Sequence, residues 1–269
     1  MPAVYNNKKY KKNDMPNHFV IFLIVMSALA VIVFVALYFV EAGYGMLLDK
    51  KWGIAINNKA AWFCMESPVV IAMTVLWILS DRTFSLVPLI FFLFFQTHYI
   101  RRALIFPFMM RGANKMPLSI MFLGIIFNVC NALMQGGWIF FYAPADMYTP
   151  AWLLKPCFII GTIIYFGGMI INIQSDKIIQ DLRKPGDTKH YLPTRGLFKY
   201  ITSAHYFGEI IEWVGFAILT WSWSGAVFAL WTFANLVPRA NAVYHKYQTL
   251  FAKDTIKDKK LKRVFPFIY

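Results

Sequence analysis

A chain of 269 residues that is 59% hydrophobic and only 15% charged is too apolar for a soluble domain, in which about 25% of residues are charged. Its mean hydropathy of +0.52 makes it an integral membrane protein. The formal net charge of +14 on such a chain reports the positive-inside rule and anionic headgroups, so no nucleic-acid partner is expected.

In chain order, the first apolar run is Phe19 to Val40, preceded by Lys8, Lys9, Lys11 and Lys12. It is too long for a signal-peptide core and no small-residue cleavage site follows it, so it is expected to be a retained first span. Allowing about 20 apolar residues per crossing predicts seven spans, at 18–40, 60–80, 84–105, 117–142, 151–174, 206–222 and 224–245. The expected class is therefore an all-α integral membrane protein of about seven transmembrane helices. Cys64, Cys130 and Cys157 fall in apolar segments without a pairing pattern and read as buried thiols, not a disulfide frame or a metal site. No internal repeat is visible, and the one long polar stretch inside the chain is 175–205.

Basic residues set the expected orientation. The segments after spans one, three and five and the tail hold 3, 4, 6 and 8 Lys and Arg, with Arg239 and Lys246 counted in the tail. The opposite side has Arg82, Lys155 and the four N-terminal lysines. The excess puts the C-terminus and the 175–205 loop in the cytoplasm and the N-terminus outside. The tail, KDTIKDKKLKRVFPFIY, mixes charge with apolar residues and ends on aromatics, the pattern of an interfacial anchor on anionic lipid.

An ionisable residue at mid-bilayer costs about 3 kcal/mol even on lenient scales and so marks a candidate site. Glu66, in WFCMESPVV, is followed by Pro68, which loosens a helix and frees carbonyls toward a cavity. The plainer alternative is an interfacial acid at a span end. A neutral carboxyl in an apolar pocket can donate a hydrogen bond. THYIRR closes span three: Tyr99 is a neutral donor, and Arg101 and Arg102 either anchor the topology or bind phosphate, which suits the guanidinium fork. NIQSDKIIQDLRKPGD sets Asn172 and Asp176 one turn apart, then Arg183 and Lys184, then a Pro185–Gly186 break. Capping and a turn also explain it.

HYFGEIIEW opens span six with His205, Glu209 and Glu212 on one helical face, either a solvated helix start or a site. Glu212 lies one turn deeper than Glu209 and needs a partner, expected to be an arginine or a backbone group. With five scattered histidines in the chain, no metal is expected. RANAVYHKY ends span seven, where Arg239 and Tyr247 suit a phosphate-bearing ligand or simply snorkel. Asn128, Asn131 and Gln135 of span four read as helix-packing groups. The polar groups of the other inner spans collect toward the cytoplasmic half, as a cavity open to the cytosol or inner leaflet requires. There is no G-x-G-x-x-G after a strand, no G-x-S-x-G and no P-loop, so a dinucleotide would not sit on a Rossmann fold.

INIQSD, LRKPGD, LPTRGLF, GEIIEW and FPFIY, in that order and spacing, make the chain similar to the steroid 5α-reductase family, and its compact N-terminus to bacterial-type members. The resemblance is strong from Gly167 to Tyr269, and HYIRR with Glu66 extends it into the first half. It implies one reductase domain over 1–269 whose cytoplasmic loops close a cofactor cavity, about 1–116 contributing the substrate pocket and about 117–269 the cofactor pocket. The implied activity is NADPH-dependent reduction of the Δ4 double bond of a 3-oxo-Δ4-steroid, or a related enone lipid, to the 5α product. By resemblance, Glu66 and Tyr99 hydrogen-bond the C3 carbonyl. Arg102, Arg111, Asn172, Asp176, Arg183, His190, Tyr191, His205, Glu209, Arg239 and Tyr247 correspond to cofactor-binding positions, with His205 in place of a family asparagine. Met65 stands where the family often has glutamine, His190 in place of a loop tyrosine, and Val243 where a histidine is common. The expected protein is a monomer among membrane lipids, in a bacterial inner membrane or its equivalent.

Two other classes compete with this reading. An isoprenylcysteine-type methyltransferase would share a polar, membrane-bound C-terminal half but not the order of LRKPGD and GEIIEW. A lipid transporter would show two related halves, which the sequence lacks.

Overall fold

A computed structural model describes residues 15–112, 114–187, 189–251 and 260–269. The N-terminal lysines, and Lys253, Lys257 and Lys259 of the tail, lie outside the described residues. Seven long helices follow the seven predicted spans: α1 (Asn17–Phe39), α2 (Asn58–Ile78), α3 (Leu86–Met109), α4 (Leu118–Tyr142), α5 (Pro156–Asp181), α6 (Ala204–Thr220) and α7 (Trp223–Leu250). The first five are long and apolar enough to cross a membrane. Of the last two, α6 has 17 residues and α7 carries Arg239, His245 and Lys246 in its second half. Ile21, Ile24, Ile32 and Phe39 of α1 are exposed, as an apolar helix bathed by acyl chains should be. Cys64, expected to be buried, is exposed as well.

Helix α5 runs on to Asp181, past the predicted end at residue 174. Its polar residues Asn172, Ser175, Asp176 and Gln180 are buried against protein instead of ending the helix in water. Two stretches adopt wider π turns, Arg101–Ile105 within α3 and Gly137–Tyr142 at the end of α4. Such turns often mark functional sites, and the first of these presents Arg102.

Helices α5 and α6 pack antiparallel with their backbones in near contact. Gly161 and Gly168 on one face Gly215 and Gly208 on the other, each pair of glycines seven residues apart. A Cβ on Gly168 would run into the backbone nitrogen of Glu212, and one on Gly208 into that of Asn172. Small residues allow this approach where no hydrophobic drive exists between spans. The consequence is that Asn172 and Asp176 of α5 lie beside His205 and Glu209 of α6. Above them Trp213 is fully buried, with Phe95, His98, Tyr99 and Phe228 around its ring at centroid distances of 5.8, 4.7, 5.7 and 4.5 Å.

The basic segments expected on one side do meet at one end of the bundle. A two-stranded ribbon, β1 (Ala55–Asn57) against β2 (Lys115–Pro117), joins the loops after α1 and α3. The Gly186 amide donates to the Arg111 carbonyl at 2.8 Å, joining the loops after α3 and α5. Lys262 N donates to Tyr200 O at 2.8 Å, joining the tail to the loop after α5. The tail is not simply an interfacial anchor: Leu261 and Val264 are buried, and Arg263 is held between the rings of Tyr244 and Tyr269 while donating to Asn241 Oδ1 at 2.6 Å. Apolar side chains prefer this protein surface to the headgroup layer. Among the described apolar residues of the tail, Phe267 and Ile268 at the tip are exposed.

Candidate active site

A cavity of about 950 Å³ opens inside this end of the bundle. One part of its wall is apolar: Met26, Leu29 and Val33 of α1, Leu123 and Phe127 of α4, Phe228 and Trp231 of α7. Helices α1 and α4 both rest on α7 and touch each other at the end away from the cavity, where Phe19 packs on Tyr142 at 4.6 Å. Leu29, Leu123 and Ile126 at that seam are exposed, so the apolar part of the cavity opens sideways toward lipid. The rest of the wall is polar and holds Glu66, Tyr99, Arg102, Arg111, Asp176, Arg183, His205, Glu209 and Arg239.

Glu66 and Tyr99 are buried and come from different helices, yet one helix orients both. Asn128 Nδ2 of α4 donates to Glu66 Oε2 at 3.1 Å and to the Met65 carbonyl at 2.8 Å. One turn on, Asn131 Nδ2 donates to the Tyr99 hydroxyl at 2.8 Å. The span-four amides thus bond from helix to helix, as the sequence suggests, and two of their partners are the candidate residues Glu66 and Tyr99.

Around the polar wall the side chains form one network. Arg101 donates to Asn172 Oδ1 and lies 3.2 Å from Asp176 Oδ2; Arg102 lies 3.6 Å from the same oxygen. Asn172 Nδ2 donates to the His205 carbonyl at 2.9 Å and to Glu209 Oε2 at 3.4 Å. Arg101 and Arg102, both partly buried, thus share the Asp176 carboxylate, and Arg102 lines the cavity. Arg102 also lies over the rings of Trp62 and Phe106, each at 4.5 Å, which holds its head in place without another acid. Arg239 donates to Tyr206 Oη at 2.7 Å and to the carbonyls of Ala42 and Tyr44 at 3.0 and 3.2 Å, closing the loop after α1 over the cavity. His205 Nδ1 is buried and has no hydrogen-bond partner among the described residues.

The loop after α5 supplies Arg183, which approaches His190 Nδ1 at 2.7 Å. Half-burial and the charges of Arg183 and Lys246 hold the His190 imidazole below its ordinary value, so it stays neutral and accepts from Arg183. Tyr191 is exposed and donates to Asp187 Oδ2 at 2.8 Å. That bond and the Lys189 amide hold Asp187 below the usual carboxylate range. Tyr191 thus belongs to the rim, and Tyr247 packs with Leu47, Val243 and Leu261; neither lines the cavity.

Glu212 has a partner other than the expected arginine or backbone group. His98 Nδ1 meets Glu212 Oε1 at 2.8 Å, with both side chains buried. His98 lines the cavity beside Tyr99. It is the residue that the reading of the sequence passed over, although it stands next to Tyr99 in THYIRR; Arg101, weighed there as an anchor or a phosphate ligand, instead holds Asn172 and Asp176. Strict helical spacing separates His98 from Tyr99 by about 100°; that both reach the site follows from the α5–α6–α3 packing.

Comparison with known proteins locates this arrangement. Residues 114–269 match the family profile described as 3-oxo-5-alpha-steroid 4-dehydrogenase. A steroid 5-alpha-reductase of Gossypium hirsutum is 35% identical over 251 residues, 92% of this chain and 96% of its own. The 3-oxo-5-alpha-steroid 4-dehydrogenase 1 of Mus musculus is 35% identical over 89% of this chain and 92% of its own. That of Homo sapiens is 37% identical over 84% and 86%. The profile covers more than half of the chain, and the relatives extend the match across the spans that carry Glu66 and Tyr99. The chain belongs to the 3-oxo-5-alpha-steroid 4-dehydrogenase family, a family of oxidoreductases acting on CH–CH groups.

Proposed function

We propose that the protein reduces the Δ4 double bond of a 3-oxo-Δ4-steroid, with NADPH as reductant and a 5α-3-oxo-steroid as product. The observation that carries this reading is one cavity with two unlike walls, where Glu66 and Tyr99 are held by successive turns of α4. A rigid apolar enone suits the wall of α1, α4 and α7, and reaches it through the seam between α1 and α4. The polar wall suits a dinucleotide. Arg102, Arg111, Arg183 and Arg239 answer its phosphates; Asp176, Glu209 and His205 can meet hydroxyl and amide groups, with Asn172 behind them bonded to Glu209. NADPH, when bound, would supply the hydride to the β-carbon of the enone, and the enolate so formed takes a proton at the α-carbon to give the saturated ketone.

The chain's own part is to stabilise the charge that this addition creates. Negative charge builds on the C3 oxygen, and a neutral Glu66 carboxyl and the Tyr99 hydroxyl donate to it from within a water-poor pocket. Removing one such donor costs about 3–4 kcal/mol of transition-state stabilisation. Trp213, Phe95 and Phe228 pack around this point and keep water from it. The substrate pocket then draws on α1 to α4 and α7, and the cofactor pocket on α3 and α5 to α7. By the basic excess of the loops, the cofactor side faces the cytoplasm.

The test is to mix the detergent-solubilised protein with NADPH and a 3-oxo-Δ4-steroid and follow NADPH absorbance and the saturated product. Stoichiometric conversion supports the reading. Oxidation with a polyprenal or an enoyl thioester but not with steroid moves the substrate class, and no oxidation with any of them sinks it.

A further inference from the structure

The hydrogen bond between Asn131 and Tyr99 is the last link of a chain whose direction is decided at its far end. Gln135 Nε2 donates to the backbone carbonyl of Ser224 at 2.9 Å, at the first turn of α7. A backbone carbonyl can only accept, so the nitrogen of Gln135, not its oxygen, faces that way. The same nitrogen lies 3.5 Å from Asn131 Oδ1. Turning the Asn131 amide over would set two N–H groups against each other, in a place where Asn131 and Gln135 are both wholly buried. Gln135 Oε1 already lacks a partner among the described residues, and further unsatisfied groups there are costly, so the Asn131 oxygen faces Gln135 and its nitrogen faces Tyr99. The Tyr99 hydroxyl must then accept from Asn131. Among the described residues it donates to no other group, and Tyr99 lines the cavity.

We propose that Asn131, oriented by Gln135, is a positioning residue that turns the Tyr99 hydroxyl proton into the cavity toward the substrate's carbonyl oxygen. The proposal rests on the reading of Tyr99 as a donor to that oxygen. An acceptor at position 131 would take the proton instead, and Tyr99 would meet the carbonyl with a lone pair. The anchor on Ser224 also ties this orientation to the start of α7, so the donor is set before any ligand binds.

The order of two variants tests it. Asn131→Asp is close to isosteric but presents an acceptor, whereas Asn131→Ala removes the bond and leaves the hydroxyl free to rotate. Asn131→Asp is expected to lose turnover by about 10²–10³-fold, as for removal of an oxyanion donor, and Asn131→Ala by less. The KM for steroid and the affinity for NADPH, read by quenching of tryptophan fluorescence, should move far less than kcat in both. A side chain at 131 that merely fills space gives the reverse order, Asp tolerated and Ala worse, and that result overturns the proposal. If Asn131→Asp does not fold, the double mutant decides. Asn131→Ala should lower kcat in the wild-type background and leave the residual kcat of Tyr99→Phe unchanged, since the residue acts through that hydroxyl. Additive losses overturn the proposal. Wild-type turnover by Tyr99→Phe alone would instead overturn the assignment of Tyr99, and with it this inference.

Discussion

At the scale of single residues, the cavity divides its side chains by what they do to rate and to affinity. On the proposed reading Tyr99 and Glu66, held by the amides of α4, act on turnover. Tyr99→Phe should lower kcat about 10²-fold or more while the NADPH affinity stays within about a factor of two to three, in steady-state kinetics alongside direct binding. Arg183 points to the opposite result. Its guanidinium lies on the polar wall with His190 beside it, and a charge-assisted bond to phosphate contributes about 1.5–3 kcal/mol. Arg183→Ala should therefore raise the KM for NADPH about tenfold or more and lower kcat little; a loss confined to kcat would count against its role. Most of these side chains were visible in the sequence as polar groups in expensive places. Asn131 was visible too, but its partner was not, because a hydrogen bond across 32 positions has no periodicity to announce it.

At the scale of elements, the α5–α6 contact sets the register of the polar wall. Gly168→Ala would place a methyl group against the backbone of Glu212, and overpacking of this kind costs about 1–3 kcal/mol. The expected outcome is a lower unfolding temperature in detergent together with weaker NADPH binding, since Asn172 and Glu209 shift with the helices. Gly167, next to it, has open space around its Cα and should accept alanine with neither effect.

The loop after α5 makes a second prediction at this scale. The folded state holds His190 below the ordinary imidazole value of 6.5, so the unfolded or detached loop binds a proton more readily. The order of the loop is then fully present above that value and is lost as pH falls below it toward the folded value. The KM for NADPH should rise as the pH drops below about 6.5, and His190→Gln should flatten that limb. The exposed Asp187–Tyr191 pair makes no comparable contribution.

At the scale of the whole molecule, the proposed function gives an apolar substrate and a charged cofactor separate ways in. The proposed steroid side is the seam between α1 and α4 at Leu29 and Leu123, and the polar side lies among the loops. Leu123→Trp, which narrows the seam, should raise the KM for steroid several-fold and leave that for NADPH unchanged. If both rose together, the seam would not be the steroid's route. The loops that close the polar side are tied to one another by β1–β2, by the Gly186–Arg111 bond and by the tail against Tyr200. The tail is therefore part of the enclosure, a role that its charge pattern alone reads as attachment to lipid.

Composition and hydropathy by themselves determined that this chain folds in a membrane as long helices, because apolar length and the need to satisfy every backbone group leave helices as the economical solution. Sparse ionisable residues in those helices also marked the site, since burying them without purpose is unfavourable. Tertiary structure alone decided which polar groups meet. The near-contact of α5 and α6 through their glycines brings Asn172 to Glu209, and Glu212 to rest on His98 instead of an arginine. The turn of α4 gives Glu66 and Tyr99 their amide partners. Such pairings depend on the distance and rotation between helices, and those follow from side-chain shape across the whole bundle, which no local pattern encodes.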